Sequence, residues 1–442
     1  MRGRLSLLQA LRIVIRSDSD PARQVLFSNL MQSHLSVRLA FGVHERLRGT
    51  SASAFFVSLY GLASYFTIAP PAGPNARVLI VAKHANARRH VARVASWVGP
   101  ESCGWVRTGK AALWHGSTAR AARALLSVRR LRRAFRLVRA IDERHGFLVS
   151  CRAASAIGWY ARMRLVLQDH RPGAVLVSGD SHPEDVGVAA AARAIDVPQI
   201  FVAHAYPTPF SPPLRFTLSI LEGEGAVRAR REKGPVTGAV LLAGVEGDSA
   251  PMDARRFARP NPVIGIFPPK AISWPTFKAI VQDCREHFGA RRIVIRWHPS
   301  MLEPPHLSRY LTDVSDVVES PRTAALGDVA GECDWVVADE NSNVHLPVLK
   351  LGIPTVAVKA LGLYPPSRAD LYGFAEHGVV FPPVASIRDV DAGALASFFA
   401  DCWRSRFEEY DASYMRAPEI VARDVHHAVW QLLQSGSTAA EA

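Results

Sequence analysis

Arg291-Arg292-Ile293-Val294-Ile295-Arg296-Trp297-His298-Pro299-Ser300 is an apolar run that breaks into a polar turn. The pattern recurs in Trp335-Val336-Val337-Ala338-Asp339-Glu340-Asn341-Ser342-Asn343-Val344-His345, which leads on to Leu349-Lys350-Leu351-Gly352-Ile353-Pro354-Thr355-Val356. Short continuous β-branched runs are the signature of strands buried on both faces of a parallel sheet. Open α/β sheets take their ligands outside the carboxyl ends of such strands. Both polar turns are therefore expected along one crevice.

The same alternation extends upstream. Arg77-Val78-Leu79-Ile80-Val81-Ala82 reads as a first buried strand ending at Lys83-His84, and no glycine-rich phosphate loop follows it, so a dinucleotide fingerprint is absent. A strand over residues 174–178 stops at Gly179-Asp180-Ser181-His182-Pro183, a helix over 184–194 follows, and a strand over 197–203 leads to His204. A run over 216–221 stops at Glu222-Gly223-Glu224-Gly225, and another over 240–243 stops at Gly244. A polar, turn-rich stretch over 244–262 then separates a second series, whose strands end at Pro268, His298, Glu319, Asp339 and Lys359. Strand–helix alternation of this kind specifies doubly wound parallel sheets. The expected organisation is a helical extension over 1–74, a Rossmann-like domain over 75–250, a linker over 251–261, a second Rossmann-like domain over 262–400, and closing helices over 401–442.

The 442 residues suffice for two such domains. The five cysteines, Cys103, Cys151, Cys284, Cys333 and Cys402, lie far apart with no CxxC pair, which argues against structural zinc or a disulfide framework and for a reducing compartment. Net charge is +14, and its placement is uneven. Residues 1–150 hold 24 Lys/Arg against 6 Asp/Glu, a balance of +18, while residues 251–442 hold 19 against 23. Such asymmetry points to an anionic partner or membrane surface. Residues 117–140 are the expected contact: Leu125, Val128, Leu131, Phe135 and Val138 form a stripe among arginines, a pattern shared by interfacial helices and by core-packed helices with a solvated face. Nucleic acid is disfavoured, because no aromatics are interleaved for base stacking. The opening residues are basic and amphipathic rather than a secretory signal. The most apolar stretch, 54–69, is too short to span a bilayer and reads as a buried core helix.

His298 and Arg296 share a strand tip, with Pro299 fixing the turn, and suit the grip of a phosphate. Asn341, Ser342 and Asn343 follow another strand and open an expected helix to Leu351, whose N-terminus is a ready anion site.

Arg-x-His-Pro, followed by a short polar motif with serine and a helix ending Leu-Gly-Ile-Pro-Thr, resembles bacterial surface-polysaccharide transferases of the GT-B fold. These include capsule Kdo transferases, polysialyltransferases and CDP-glycerol glycerophosphotransferases. The similarity covers roughly residues 170–380; Ser342 alone stands where the family often carries two hydroxyl residues, and His204 lacks the family's flanking Gln and Gly. The resemblance implies two Rossmann-like domains facing a cleft and metal-independent transfer of a sugar or polyol phosphate from a CMP- or CDP-activated donor. The acceptor would be a saccharide or lipid-linked, and no cofactor beyond the donor is implied. Arg296, His298, Pro299, Asn341, Ser342 and Asn343 would hold the donor. His204, or Glu222 or Glu224 in a loose match to an acidic-acidic-Gly motif, would face the acceptor as base. The setting implied is envelope polysaccharide synthesis in the cytoplasm, peripheral on the inner membrane. The alternatives are a nucleotide-sugar 2-epimerase on the same fold and an inactive scaffold that binds polysaccharide or partner enzymes.

Overall fold

The computed structural model describes residues 7–19, 35–71, 76–83, 85–109, 128–204, 207, 211–244, 249–299, 301, 306–321, 323–363, 370, 372–400, 402–412 and 417–438. A helical layer opens the chain: α1 (Leu7–Asp18), α2 (Leu35–Leu47) and α3 (Ser51–Phe66). Thr50 caps α3, its hydroxyl accepting the Ser53 N–H at 3.2 Å. A two-residue strand, β1 (Ile68–Ala69), pairs antiparallel with β4 (Arg107–Thr108).

The first large sheet has six parallel strands in the order β3 (Cys103–Trp105), β2 (Val78–Val81), β5 (Ala174–Val177), β6 (Gln199–Val202), β7 (Arg215–Leu221) and β8 (Thr237–Leu242). Its helices are α4 (Ala85–Val98), α5 (Val128–Asp142), α6 (Phe147–His170), α7 (Pro183–Ala194) and α8 (Glu224–Glu232). Side chains alternate across a strand, and the two faces are covered accordingly. Leu79, Val81 and Val175 pack with Trp159, Met163 and Val188 of α6 and α7. Val78, Ile80 and Leu176 pack with Val91, Val94 and Val98 of α4.

The second sheet is also all parallel, in the order β11 (Val317–Glu319), β10 (Arg292–Ile295), β9 (Val263–Phe267), β12 (Trp335–Asp339) and β13 (Thr355–Val358). Its helices are α9 (Trp274–Glu286), α10 (Leu326–Gly331), α11 (His345–Lys350), α12 (Ala392–Ala400) and α13 (Trp403–Tyr410). The last helix, α14 (Pro418–Thr438), returns to the first sheet, where Val421, Val425, Val429 and Leu433 join the α4 face. His426 Nδ1 donates to the Trp97 carbonyl at 2.8 Å, and Trp430 Nε1 donates to the Val98 carbonyl at 3.2 Å. Two Rossmann-like units with a helical N-terminal layer and closing C-terminal helices are thus the architecture. The stretch between the units is anchored to the second: Phe257 is buried against Trp335, ring centroids 4.8 Å apart.

Two expectations change. The uncharged helix read as wholly buried is α3, and it buries only one face, with Phe55, Leu59 and Tyr60 exposed. That buried face carries Gly61 for a reason. A Cβ on Gly158 of α6 would stand 2.2 Å from the Gly61 carbonyl oxygen, so the two backbones approach too closely for a side chain. The basic segment is helical from Val128; Val138 is buried and Phe135 half-buried, while Leu131 of the same stripe is 44% exposed, so only part of the stripe packs on the protein. Residues 117–127 of that expected contact, Leu125 included, lie outside the described residues. No helix among the described residues is long and apolar enough to cross a membrane.

Candidate functional site

The strand order of the second sheet reverses between β9 and β12, because β10 and β11 lie to one side of β9 and β12 and β13 to the other. Crevices at such reversals are where doubly wound sheets hold ligands. Ile266 of β9 pairs with Ile295 on one side and Val337 on the other, so the three strand tips end at one level. From β9 the chain runs through Pro268 and Pro269 to Lys270; from β10, through Arg296 and Trp297 to His298; from β12, through Glu340 to Asn343.

Trp297 explains why Arg296 and His298 share a side. Its ring is buried in the core beside Phe277, and its indole N–H donates to Glu319 Oε2 at 2.5 Å. Its neighbours in sequence are thereby turned the other way. Burial, then Lys270 and then Arg296 lower the His298 pKa to about 4, so the imidazole is neutral at pH 7. Burial also lowers Lys270, and burial followed by Arg89 lowers Arg296. Arg89 belongs to α4 of the first unit, so the rims of the two units meet here. Lys270 and Arg89 are exposed and Arg296 and His298 half-buried, so three cations and a neutral histidine line a solvent-open rim, an electrostatic setting for a polyanion.

The turn after β12 differs from expectation. The helix opens at His345 rather than Asn341, and spans six residues. The Asp339 carboxylate takes the Asn341 N–H at 3.0 Å on one oxygen and the Gly362 N–H at 2.6 Å on the other. The Ser342 N–H bonds the Asp339 carbonyl at 2.9 Å, and Ser342 Oγ accepts the Val344 N–H at 3.4 Å. Local side-chain acceptors thus hold the backbone in a turn and delay the helix. His345 is fully buried between the Asp339 carbonyl and the Thr355 hydroxyl, both at 3.0 Å. Ser342 therefore does not cap a helix, and the expected grip by a helix N-terminus is not formed. Asn343 adds something else: its Oδ1 is buried and accepts no hydrogen bond.

On the first unit, His204 follows β6. Its Nδ1 lies 2.5 Å from the Ser178 carbonyl and 3.2 Å from the Ser178 hydroxyl, which itself donates to the Val202 carbonyl at 2.8 Å. With that hydroxyl proton committed, Nδ1 carries the hydrogen and Nε2 carries the lone pair. His90 of α4 lies close by. Burial, then Arg89, Arg93 and His204, lower its pKa to about 3.

The two glutamates separate. Glu224 is exposed at the first turn of α8. Glu222 is buried, one carboxyl oxygen has no hydrogen-bond partner, and burial raises its pKa to about 7, with Asp411 adding to the rise and Arg230 and Arg93 opposing it. The glycine between them is a packing residue: a Cβ on Gly223 would meet the Tyr410 carbonyl oxygen at 2.1 Å. The Glu-Gly-Glu-Gly run thus lies under the end of α13, and the likeness to an acidic-acidic-Gly motif does not place both acids in one cleft.

Lys270, Arg89 and His90 were not among the sequence candidates. Lys270 obeys the same strand-tip rule as His298 and was legible; Arg89 and His90 lie on a helix, and only the assembly of the two units puts them here. A pocket lined by Asp180, Asp185, Gln199, Arg215 and Phe216 opens elsewhere, beneath α7, and contains none of these histidines.

No family model matches the chain, and no curated protein matches its sequence. Solved structures do resemble it. UDP-N-acetylglucosamine 2-epimerase from Rickettsia bellii is 12% identical over 81% of this chain and 96% of that one, with a TM-score of 0.45. MurG from Acinetobacter baumannii is 12% identical over 81% and 99%, with a TM-score of 0.39. A UDP-glucosyltransferase from Polygonum tinctorium is 11% identical over 81% and 98%, with a TM-score of 0.44. These are likenesses at the level of the chain trace alone, and the two-unit architecture rests on the strand order given above.

Proposed function

We propose that the chain is an enzyme that transfers a sugar or polyol phosphate from a nucleotide-activated donor to an acceptor hydroxyl. The observation that carries this reading is the convergence of Lys270, Arg296, Arg89 and neutral His298 at the strand reversal, with His204 near His90, the neighbour of Arg89 on α4. In this reading the donor's phosphates sit among those cations. His204 Nε2 takes the acceptor proton as the acceptor oxygen bonds to the transferred group. The bond to the donor phosphate breaks, its electron pair stays on the nucleotide, and the cations with a His298 N–H stabilise that charge. Asn343 Oδ1, buried and without a donor, suits an N–H or O–H of the donor. We assign the donor to the cytidine nucleotides, the pathway to envelope polysaccharide, and the place of action to the inner membrane face.

A second reading, a nucleotide-sugar 2-epimerase, gains from the acid–base groups at the rim. His90 and His204 lie near one another and His298 stands at the strand tips, while Glu222, whose pKa near 7 suits moving a proton either way, is buried beneath α13 and shares Arg93 as a neighbour with His90. One experiment separates the readings. Melting curves with CMP, CDP, UDP and GDP identify the nucleotide, since a ligand that binds the folded state alone raises its stability. Incubation of the corresponding nucleotide sugars with and without acceptor follows. Cytidine-nucleotide stabilisation with acceptor-dependent release of nucleotide is expected. Conversion of a UDP-sugar without acceptor establishes the epimerase, and no stabilisation by any nucleotide leaves the inactive scaffold.

A further inference from the structure

The N-terminal helical layer carries an apolar surface that the proposed chemistry does not use. On α2, Leu35, Leu39 and Val43 are spaced four apart on one stripe and are 61%, 61% and 44% exposed. The opposite side already faces the protein: Phe41 packs edge-on to Phe147, and buried His44 Nε2 bonds Asp142 Oδ1 at 2.7 Å. On α3, Phe55 and Leu59 are likewise four apart and exposed, with Tyr60 beside them. No residue of α3 carries a charge. Phe56 of α3 stacks on the same Phe147 ring, so both helices rest on the start of α6 with their second apolar faces outward. Helices apolar on both sides are made to be covered on both, and grouped exposed apolar residues mark an interaction surface.

Charge selects the occupant. The two described acids of this layer and the two at the end of α5 each have a basic partner: Asp18 with Arg152, Glu45 with Arg48, Asp142 with His44 and Glu143 with Arg139. Arg38 and Arg46 stand on α2 itself and Arg132, Arg133 and Arg136 on α5, which packs against α3, and all five are exposed. An apolar centre rimmed by arginines complements an acyl-chain boundary beneath acidic headgroups. We infer that the outward faces of α2 and α3 are a docking surface for an anionic lipid bilayer, with Leu35, Leu39, Phe55 and Leu59 entering the interface. The contact differs from the one expected at residues 117–140, where Val138 is spent on packing and Leu131 alone of the described stripe is exposed. It deepens the membrane-peripheral part of the reading above but does not depend on the transfer chemistry.

The test is co-sedimentation of the full chain with vesicles of phosphatidylcholine alone and with thirty per cent phosphatidylglycerol. The wild-type chain is expected to bind the acidic vesicles, and to weaken partly but not wholly in high salt, because screening acts on the arginines and not on the apolar contact. Leu39→Glu/Phe55→Glu is expected to lose at least tenfold in binding while its melting temperature and its stabilisation by nucleotide stay as in the wild type. Arg132→Glu/Arg136→Glu, whose side chains are also exposed, is expected to lose binding to acidic vesicles only. Binding by Leu39→Glu/Phe55→Glu equal to wild type overturns the inference, as does equal wild-type binding to both vesicle types. So does a wild-type dimer that these substitutions split into monomers with no vesicle binding in either, which assigns the face to a second copy. Nucleotide stabilisation is read on the same samples, so a failure of the transferase reading is distinguished from a failure of the docking surface.

Discussion

His298 and Lys270 show how two residues at one rim take different parts. His298 is neutral at pH 7 and serves an anion by hydrogen bonding, whereas Lys270, exposed and only partly desolvated, supplies charge. His298→Ala is therefore expected to slow transfer by about 10²–10³, the usual cost of losing one donor to developing charge, with an unchanged melting curve. Lys270→Ala is expected to weaken nucleotide diphosphate binding by about 10–100-fold, in line with roughly 1.5–3 kcal/mol for a charged hydrogen bond. Isothermal titration beside turnover separates the two, and a well-folded His298→Ala protein with full activity removes the mechanism. Glu222 makes a different forecast. Its folded-state pKa is raised from 4.5 to about 7, so the folded protein binds the extra proton between those values. The stability this group supports is complete below pH 4.5 and is lost as pH rises through 7. Glu222→Gln is expected to melt increasingly above the wild type from pH 5 to pH 8, reaching a gain on the order of 1–3 kcal/mol. A gap that does not widen with pH shows that the carboxyl is not desolvated.

At the scale of elements, close backbone approach decides what the glycines are for. Gly223 lies beneath the last residues of α13, where any Cβ meets a backbone oxygen that cannot rotate away. Gly223→Ala is expected to cost about 1–3 kcal/mol in a denaturant melt, as overpacking does. Gly331 in α10 has nothing within 4 Å of where its Cβ would be, and Gly331→Ala is expected to be neutral or slightly stabilising. Equal effects at the two sites contradict the packing account of the Glu-Gly-Glu-Gly run. Most strand ends were close to what their residues announce: the readings at Pro268, Glu319, Asp339 and Lys359 lie within one residue of observed ends at Phe267, Glu319, Asp339 and Val358, while that at His298 runs three residues past Ile295. The helix after β12 was not legible, because Asn341 and Ser342 are as good in a turn as at a cap. Asp339, two residues earlier, decides between these roles through a carboxylate that reaches the Asn341 and Gly362 amides.

For the whole molecule, one buried and two half-buried histidines shape the response to acid. His90 is lowered to about 3, and His298 and His345 to about 4, each first by burial. Below the ordinary value of 6.5 the unfolded chain takes up protons that the folded chain refuses. Their contribution to stability is thus complete above about pH 6.5 and is lost as pH falls from there towards 4. The unfolding midpoint in urea is expected to fall steadily over that window, and a nucleotide diphosphate, whose charge favours a protonated His298, is expected to make the fall shallower. A flat profile from pH 6.5 to 4.5 contradicts the burial of these rings. Integrity of the molecule also depends on α14, whose valines complete the α4 face of the first sheet from the far end of the chain.

The sequence by itself determined the two series of parallel strands, their order along the chain and the polar character of their tips, because a strand buried on both faces must be written as an unbroken apolar run. It determined equally that the basic charge is gathered in the first third. Tertiary structure alone decided that β9 lies between β10 and β12, which brings Lys270 between the two quoted turns. It alone brought Arg89 of α4 to the rim of the other unit, and closed Glu222 under α13 while leaving Glu224 in water. The physical reason is the range of the interactions involved. Strand formation reads neighbours along the chain, whereas desolvation and the meeting of like charges depend on residues hundreds of positions apart, and no local pattern encodes which of them will be adjacent.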